Sequence, residues 1–155
     1  MKKLKIYLDT TIFNFVFDQS AFKEHKLTVK LFEQIDRYES YVSDIVLQEI
    51  NRCSEPKKQK MLNLIIQNDI RQLPLDESSQ ALANQYLHQR IIPKKYEDDA
   101  FHIAIASVNN MDVILSWNFE HIVKLKTKRE VVAINLLMGY KEIDIYSPLE
   151  VVENV

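Results

Sequence analysis

The hydrophobic and polar positions along the chain form short apolar runs that alternate with longer segments of helical periodicity. Leu4–Leu8 and Val113–Leu115 are rich in β-branched and aliphatic residues, which is typical of strands buried in a parallel sheet. The segment 100–108 is apolar on nearly every face, interrupted only by His102 and Ser107, and predicts a helix in the core. Strands that alternate with helices favour a three-layer α/β fold, with a mostly parallel sheet of about five strands and helices on both faces.

The same patterns predict the other elements. Apolar residues recur at helical spacing in six further segments: 12–17, 23–38, 44–52, 55–67, 76–89 and 131–138. Three short segments are predicted strands: 41–42, 71–75 and 142–146. We also predict a turn of helix at 119–122, a helix end at Gly139 and a terminal tail from Pro148.

Polar residues collect at the edge of the predicted sheet where the carboxyl ends of the strands meet. Asp9 follows the first strand directly, and Ser116 and Asn118 follow a later one. The helix before that later strand runs antiparallel to it, so its first residues, Asp98 and Asp99, lie at the same edge. Ligands of open α/β sheets bind in the crevice outside the carboxyl ends of the strands. The topology therefore predicts a site here.

Each acid also has a simple structural explanation. Asp9 is a favoured helix N-cap, and Asp44 fits an acid in the first turn of a helix. Glu49 lies beside the apolar stripe of its helix, where acids usually extend toward water, and it joins the site only if that helix packs obliquely. The sequence alone leaves these alternatives open.

A cluster of these acids would carry a large electrostatic cost. Three carboxylates about 5 Å apart repel one another by about 10 kcal/mol at an effective dielectric near 20. The whole stability of a domain is only ~5 to 15 kcal/mol. Such a cluster needs shared protons or a divalent cation, and oxygen-only ligands favour Mg²⁺ or Mn²⁺. Such an ion could activate a water for attack on a phosphodiester.

Composition narrows the class of site. Gly139 is the only glycine, which excludes P-loops and dinucleotide-binding turns, because each needs several. The net charge of -2 gives no general basic field, so binding of nucleic acid would depend on local patches or on a metal. Ion pairing explains Lys94 and Lys95 equally well, and most basic runs such as 124–129 are solvated surface. Six of these basic residues are nevertheless candidate contacts for an anionic substrate or a phosphate backbone: Lys94, Lys95, Lys124, Lys126, Lys128 and Arg129.

Length and cysteine content indicate the number of domains and the cellular compartment. The 155 residues fit one domain over 1–155. Cys53 is the only cysteine, which fits a reducing cytoplasm. Lys5 and Asp9 interrupt the opening segment before it could serve as a signal peptide, and no stretch approaches the ~20 apolar residues of a membrane span. We therefore expect a cytoplasmic protein without a membrane anchor.

Four motifs occur in an order that suggests a known family. They are YLDTTIF after the first strand, the helical SDIVLQEI, the helical DDAFHIAIA, and a strand that leads into SWNFEHI. Together they resemble the motifs of PIN-domain ribonucleases, the fold of the toxins in VapC-type toxin–antitoxin pairs. The resemblance extends from Leu4 to about Val151. It implies a single PIN-like domain whose acidic pocket binds Mg²⁺ or Mn²⁺ and cleaves single-stranded RNA.

The resemblance also assigns roles to residues. Asp9, Glu49 and Asp99 match the three family acids, which makes them the implied catalytic and metal-binding residues. Asn118 stands where many members have a fourth acid, and because an amide brings no charge we expect a more weakly held cation. Thr11 matches a small hydroxyl or amide residue near the first family acid, and Asp98 and Ser116, placed at the same edge by the topology, are the other predicted supporting residues.

Other functions stay open at this point. A PIN-like module that has lost catalysis would bind RNA or protein, and Asn118 favours it. An aspartyl-phosphate phosphatase would need a second aspartate where Thr11 stands. His102 is either a core histidine bonded to a carbonyl or carboxylate, or a substrate contact. Trp117 either stacks on a base or fills the core. The partners expected are single-stranded RNA and a small antitoxin protein, and a homodimer is left open.

Overall fold

A parallel sheet of five strands forms the centre of the structure, a computed structural model that describes residues 2–152. Its strands are β1 (Leu4–Leu8), β2 (Tyr38–Ser43), β3 (Arg71–Leu73), β4 (Val113–Leu115) and β5 (Asp144–Tyr146). The strand order is β3-β2-β1-β4-β5, and each neighbouring pair is parallel. The predicted parallel sheet of about five strands is confirmed.

Between residues 2 and 152, eight α-helices connect and cover the strands. They are α1 (Thr10–Val16), α2 (Phe22–Glu33), α3 (Asp44–Asn51), α4 (Lys57–Gln67), α5 (Glu77–His88), α6 (Glu97–Val108), α7 (Leu125–Leu137) and α8 (Pro148–Val151). Short 3-10 turns precede β2 and α6. The predicted tail thus begins as α8, and its end, 153–155, lies outside the described residues. Within residues 2–152, no helix has the length and apolar character needed to cross a membrane.

The strand order determines the layers. Parallel strands are joined by right-handed crossovers. The chain runs outward from β1 through β2 to β3 and then returns to β4 and β5 on the other side of β1. The helices of the first leg, α1 to α4, therefore cover one face of the sheet, and α5 to α7 cover the other. This is the three-layer arrangement that the sequence predicts.

The direction of winding reverses beside β1, which is where open α/β sheets form a crevice. In the register of β1 and β4, Leu8 lies opposite Leu115. The next residues along the two strands, Asp9 and Ser116, therefore emerge side by side at the carboxyl edge.

The predicted core helix is buried along most of its length. Every residue of α6 from Ala100 to Ser107 is buried except Phe101, which is half-buried. The helix packs in one core with the last three residues of β1 and all of β4. His102 is therefore held inside the protein, while the acidic first turn of the same helix stays at the sheet edge.

The helix predicted over 23–38 is confirmed up to Glu33 and is wrong over its last five residues, 34–38. α2 ends at Glu33, a 3-10 turn follows, and Tyr38 begins β2. Tyr38 pairs with Leu4 of β1. Sheet pairing between distant segments therefore outweighs the local helical pattern, as tertiary context commonly does.

The chain between β4 and β5 also differs from the prediction. α7 begins at Leu125 rather than at 131, because the buried Thr127 extends its inward face. The segment 119–122 forms a single turn in which the backbone N–H groups of Ile122 (3.2 Å) and Val123 (2.8 Å) donate to the carbonyl of Asn118; the first of these is the bond of one α-helical turn, as predicted. The early start of α7 is missed because polar residues conceal the burial pattern in this part of the chain.

Candidate active site

Asp9 lies at the carboxyl end of β1 and is almost fully buried, with 2% of its surface exposed. Its Oδ1 accepts a hydrogen bond from the backbone N–H of Thr11 (3.1 Å) and another from the Thr11 hydroxyl, so Asp9 is the N-cap of α1. Its Oδ2 accepts a hydrogen bond from the hydroxyl of Ser116. The cap and the buried acid, considered as alternatives from the sequence, are therefore the same residue.

The loop after β4 is tied to this acid. The backbone N–H of Trp117 donates to the Thr11 hydroxyl (2.8 Å), and that of Asn118 donates to the Ser116 hydroxyl (2.9 Å). The two residues that contact Asp9 thus also hold the loop in place. Thr11 and Ser116 contact the acid that the sequence predicts them to support.

Trp117 fills the core beneath this loop. It is 6% exposed, and its Nε1–H donates to the hydroxyl of Thr28 (2.8 Å). Its ring also meets Phe15 edge to face, with centroids 5.9 Å apart. A ring enclosed in this way has no free face for a base, so of the two roles considered from the sequence the structure favours core packing.

Glu49 reaches the site from α3. One of its oxygens, Oε1, accepts hydrogen bonds from the Thr10 hydroxyl (2.8 Å) and from Nε2 of His102 (2.7 Å). α3 packs against both α1 and α6, which brings this residue to the end of β1. The oblique packing that the sequence left open is therefore present.

His102 is a core histidine bonded to a carboxylate, which is the first of the two roles considered from the sequence. Only 2% of its surface is exposed. Its Nε2 meets Glu49, and its Nδ1 lies 2.6 Å from the hydroxyl of Tyr7 on β1. It lies one turn after Asp99 on α6, so it extends from the acidic edge toward the core.

Asp99 and Asn118 face each other across the crevice. Asp99 is half-buried in the first turn of α6. The side-chain oxygen of Asn118 accepts the backbone N–H of His121 (3.0 Å). Burial raises the pKa of Asp99, and the nearby Asn118 side chain opposes this rise. Asp98 instead forms an ion pair with Arg52 (3.4 Å). Asp98 thus lies in the first turn of α6, as the sequence predicts, and is paired with a basic residue of α3's C-terminal end.

Burial and mutual repulsion affect the two inner acids. Burial raises the pKa of Asp9, the positive charge of His102 opposes this, and the charge of Glu49 raises the pKa further. Burial also raises the pKa of Asp99, with His102 opposing and Asp9 adding to the rise. Both carboxylates thus carry a cost for their charge in the metal-free protein.

The pKa values of Glu49 and His102 shift in the directions expected for an ion pair. Burial alone would raise the pKa of Glu49, but the hydrogen bond and charge of His102 outweigh it and the pKa is lowered. Burial alone would lower the pKa of His102, but Glu49, Asp9 and Asp99 outweigh it and the pKa is raised. The imidazole is therefore the internal counter-charge of this acid cluster.

A cavity of about 360 Å³ opens beside the acids. Its walls combine three acids of α6 with Glu49 and with groups suited to an anionic polymer: Arg52, Lys95 and Tyr96. Tyr96 stacks on His121, with ring centroids 4.2 Å apart, and the Lys95 ammonium lies 5.7 Å from the Tyr96 ring centre. A chain with charged phosphates and aromatic bases would match such a wall.

The predicted basic residues divide into two groups. Lys95 lines the acidic cavity, and Lys94 precedes it in the same 3-10 turn. The others lie at the start of α7, outside the walls of this cavity in the described part of the chain: Lys124, Lys126, Lys128 and Arg129. Lys126 pairs loosely with Glu130 (3.9 Å), and Lys128 lies over the ring of Tyr146 (5.4 Å).

The donor set of the crevice suits a hard divalent cation, because it consists of oxygen atoms. Within residues 2–152, no three histidine, cysteine, aspartate or glutamate side chains form a ready-made metal site. Mg²⁺ commonly keeps several waters and binds only one or two carboxylates. The charge of Asp9 raises the pKa of Asp99, so a cation between the two would relieve an existing repulsion. The residues present therefore fit a hydrated Mg²⁺ or Mn²⁺.

Several contacts of the site are not predicted from the sequence: the bond from Thr10 to Glu49, the bond from Tyr7 to His102, and the pair of Arg52 with Asp98. Helical spacing offered one signal. Arg52 follows Glu49 by three residues, so both lie on one face of α3. The other contacts join segments far apart in the chain, and no local pattern indicates them.

Fold and site together define a three-layer α/β protein with an acidic crevice at the reversal of its sheet. The chain belongs to the PIN domain family, a family of nucleases, whose model matches residues 6–123. The matched segment contains Asp9, Glu49, Asp99 and Asn118. The family resemblance inferred from the sequence motifs is confirmed.

Solved structures agree with this assignment. The fold is similar to VapC20 of Mycobacterium tuberculosis, a toxin that cleaves the sarcin-ricin loop, with TM-score 0.59, 13% identity, and coverage of 89% of this chain and 98% of that one. It is also similar to VapBC2 of Rickettsia felis, solved with a DNA fragment from its promoter, with TM-score 0.58, 12% identity, and coverage of 93% and 98%. At such identities the likeness establishes the fold alone. Comparison with curated proteins finds no match.

Proposed function

We propose that this protein is a Mg²⁺- or Mn²⁺-dependent endoribonuclease that cleaves single-stranded RNA, with Asp9, Glu49 and Asp99 as its catalytic acids. One observation carries the proposal. In a chain of the PIN family, acids from β1, α3 and α6 meet at the carboxyl edge of the sheet, where the winding reverses. Their separation in the sequence makes a chance meeting a poor explanation.

Asp9 and Asp99 are the groups that would hold the ion directly, because they are buried or half-buried and gain most from a nearby cation. Glu49 and Asn118 would complete the set, through their own oxygens or through water. A divalent ion bound there supplies charge stabilisation for the phosphodiester under attack and a more acidic water.

The surrounding hydroxyls keep the acids in place. Thr11 and Ser116 each donate to a different oxygen of Asp9, which fixes the plane of that carboxylate. Thr10 does the same for one oxygen of Glu49. Carboxylates held by such contacts need little rearrangement when the ion and substrate arrive, which is the general advantage of a preorganised site.

Cations along the cavity wall would contact the RNA backbone. Arg52 and Lys95 line the cavity with the acids, and we assign them to the phosphates next to the scissile bond. We assign a role in more distant phosphate contacts to the remaining predicted cations: Lys94, Lys124, Lys126, Lys128 and Arg129. Mutation of these distant residues should weaken binding without changing the rate at saturation.

We further propose that the protein is a toxin controlled by a small antitoxin. Support comes from the two structural neighbours, one a toxin and the other a VapBC2 assembly bound to promoter DNA. The free cysteine Cys53 fits action in the cytoplasm. A neighbouring open reading frame that encodes a small DNA-binding protein, and growth arrest relieved by its co-expression, would support this role. Growth unaffected by expression of the active enzyme would contradict it.

A matched pair of aspartates tests the catalytic assignment. Asp99→Asn should abolish cleavage of total cellular RNA in Mn²⁺, whereas Asp98→Asn should retain a large part of it. The two residues point about 100° apart on α6, and Asp98 is engaged by Arg52 on the outer rim. Mapping of new RNA ends, with chelator as the blank, measures the outcome. Loss in Asp98→Asn with retention in Asp99→Asn would contradict the assignment.

Metal binding itself is tested by thermal unfolding. Mn²⁺ at 100 times its Kd should stabilise the native protein by about 2.7 kcal/mol, because it binds only the folded state. Asp9→Asn should lose most of this gain, since it removes a charged ligand. A melting temperature that does not respond to Mn²⁺ would count against the proposal.

The alternative is a PIN-like module that binds RNA without cleaving it. Two observations favour it: Asn118 supplies no charge, and Glu49 already has a counter-charge in His102. Such a module would bind RNA in the presence of chelator and would leave it intact when Mn²⁺ is added.

A further inference from the structure

His102 uses both of its ring nitrogens although it is almost entirely enclosed, with 2% of its surface exposed. Nε2 lies 2.7 Å from Oε1 of Glu49, and Nδ1 lies 2.6 Å from the hydroxyl of Tyr7. The Tyr7 hydroxyl in turn lies 2.7 Å from the hydroxyl of Ser43, the N-cap of α3. A continuous row of hydrogen bonds thus begins at the first residue before α3 and returns to Glu49 on the same helix.

The direction of this row follows from the number of donors and acceptors. The Ser43 oxygen accepts two backbone N–H groups, from Ile45 (3.2 Å) and Val46 (3.4 Å), which leaves its own hydrogen to donate to Tyr7. When the ring is neutral, Tyr7 donates to Nδ1 and the ring carries its proton on Nε2. When the ring is protonated, Nδ1 also carries a proton and donates it to the Tyr7 oxygen. In either form His102 is the donor and Glu49 the acceptor.

Both hydrogen bonds to Glu49 end on the same oxygen. The Thr10 hydroxyl, on α1, and His102 Nε2, on α6, both donate to Oε1 of Glu49. With Oε1 held at two points, the carboxylate plane is fixed, and Oε2 is the oxygen left for a ligand. A long, half-exposed side chain would otherwise lose rotamer freedom when it binds an ion.

We propose that His102 is a positioning residue for metal binding, which acts through Glu49 by holding Oε1 so that Oε2 is presented to the cation. This deepens the proposed function and rests on it for the role of Glu49. Tyr7 supports His102 from behind. Neither Tyr7 nor His102 needs to touch the ion or the RNA.

Two substitutions separate this role from a merely structural one. His102→Gln keeps an N–H donor the same number of bonds from Cβ as Nε2, but it has no group equivalent to Nδ1 for Tyr7. His102→Leu removes both. Both variants leave the Tyr7 hydroxyl without the ring nitrogen it bonds to, so both should melt lower than the wild type. Outer partners of metal ligands typically contribute 10- to 100-fold to metal affinity. We therefore expect His102→Leu to weaken Mn²⁺ binding by at least tenfold, and His102→Gln to remain within about threefold of the wild type.

A double-mutant cycle then asks whether the effect passes through Glu49. Mn²⁺ affinity is measured by titration calorimetry for the wild type, His102→Leu, Glu49→Gln and the double variant. In the Glu49→Gln background, His102→Leu should cause no further loss, because residues that act through one another are not additive. Equal losses in both backgrounds would overturn the proposal.

The remaining outcomes are also decisive. If His102→Leu does not fold, Mn²⁺ affinity is measured for His102→Gln and Tyr7→Phe instead. Tyr7→Phe should lose less affinity than expected for His102→Leu, because His102 Nε2 and Thr10 still hold Glu49. Equal losses of affinity in His102→Gln and His102→Leu would overturn the role of the donor. Wild-type protein that binds Mn²⁺ and cleaves RNA, with unchanged affinity in His102→Leu, would overturn this inference alone. Wild-type protein that does neither would overturn the proposed function as well.

Discussion

Replacement of Asn118 by aspartate gives the sharpest test of the crevice. The Asn118 oxygen accepts the N–H of His121 (3.0 Å), and the Asn118 side chain lies near enough to Asp99 to oppose the rise that burial causes in the pKa of that acid. Asn118→Asp keeps the acceptor for His121 but exchanges the amide group for a second negative charge. The metal-free protein should be destabilised, and its affinity for Mn²⁺ should rise.

Two contributions set how much stability the metal-free Asn118→Asp protein should lose. Two carboxylates about 5 Å apart repel by roughly 3 kcal/mol at an effective dielectric near 20, and the favourable influence of the Asn118 amide on the ionised Asp99 is lost as well. The new acid can also take up a proton, which limits the total to about 4 kcal/mol at pH 7. We therefore expect a loss of about 3 kcal/mol, and roughly a 6–12 °C lower melting temperature for a domain of this size.

The gain in metal binding is smaller than the direct attraction. A carboxylate about 5 Å from a divalent ion adds roughly 6 to 7 kcal/mol at the same dielectric, but desolvation and repulsion from the other acids offset most of it. We expect Mn²⁺ to bind about tenfold more tightly, a change of about 1.4 kcal/mol.

Calorimetric titration with Mn²⁺ and thermal unfolding in chelator measure the two halves of this prediction. Asn118→Ala is the matched control, because it removes the amide group without adding charge and should lose only the contribution of that amide. An Asn118→Asp protein that melts no lower than Asn118→Ala would show that the added charge does not meet Asp99. Equal or weaker Mn²⁺ affinity would show that residue 118 does not face the ion.

Two further predictions concern stability away from the acids. Asp76 caps α5 by accepting the Ser79 N–H (2.9 Å), and this bond lowers the pKa of Asp76. The stability that this cap contributes is therefore fully present above the ordinary aspartate pKa and is lost as pH falls through the lowered value. Asp76→Asn should keep the cap at pH 7 and should not show this loss of stability in acid. Asp76→Ala should lower the free energy of unfolding, measured with denaturant, by about 1 kcal/mol. Because its ring fills the core, Trp117→Ala should lower the free energy of unfolding by about 3–5 kcal/mol in the same assay, and Trp117→Phe should lower it much less. A Trp117→Ala protein with nearly unchanged stability would instead favour the base-stacking role.

The sequence by itself determined the elements whose local pattern agrees with their final environment. β1 and β4 are short apolar runs, and both are buried in the middle of the sheet. α6 is apolar on nearly all faces and is buried on nearly all faces. Because strand ends in a parallel sheet share one edge, these elements also brought Asp9 and Asp99 to a common crevice before any contact was known.

Only the tertiary structure decided what completes that crevice. Whether Glu49 turns to water or to the site depends on the packing of α3 between α1 and α6, which no local pattern encodes. His102 joins Glu49 to Tyr7, two residues from separate elements that are 42 positions apart in the chain. Sheet pairing at Tyr38 likewise overrode a helical pattern. Hydrophobic periodicity reports which face of an element is buried, whereas the partner that a polar group meets there is set by how the elements pack.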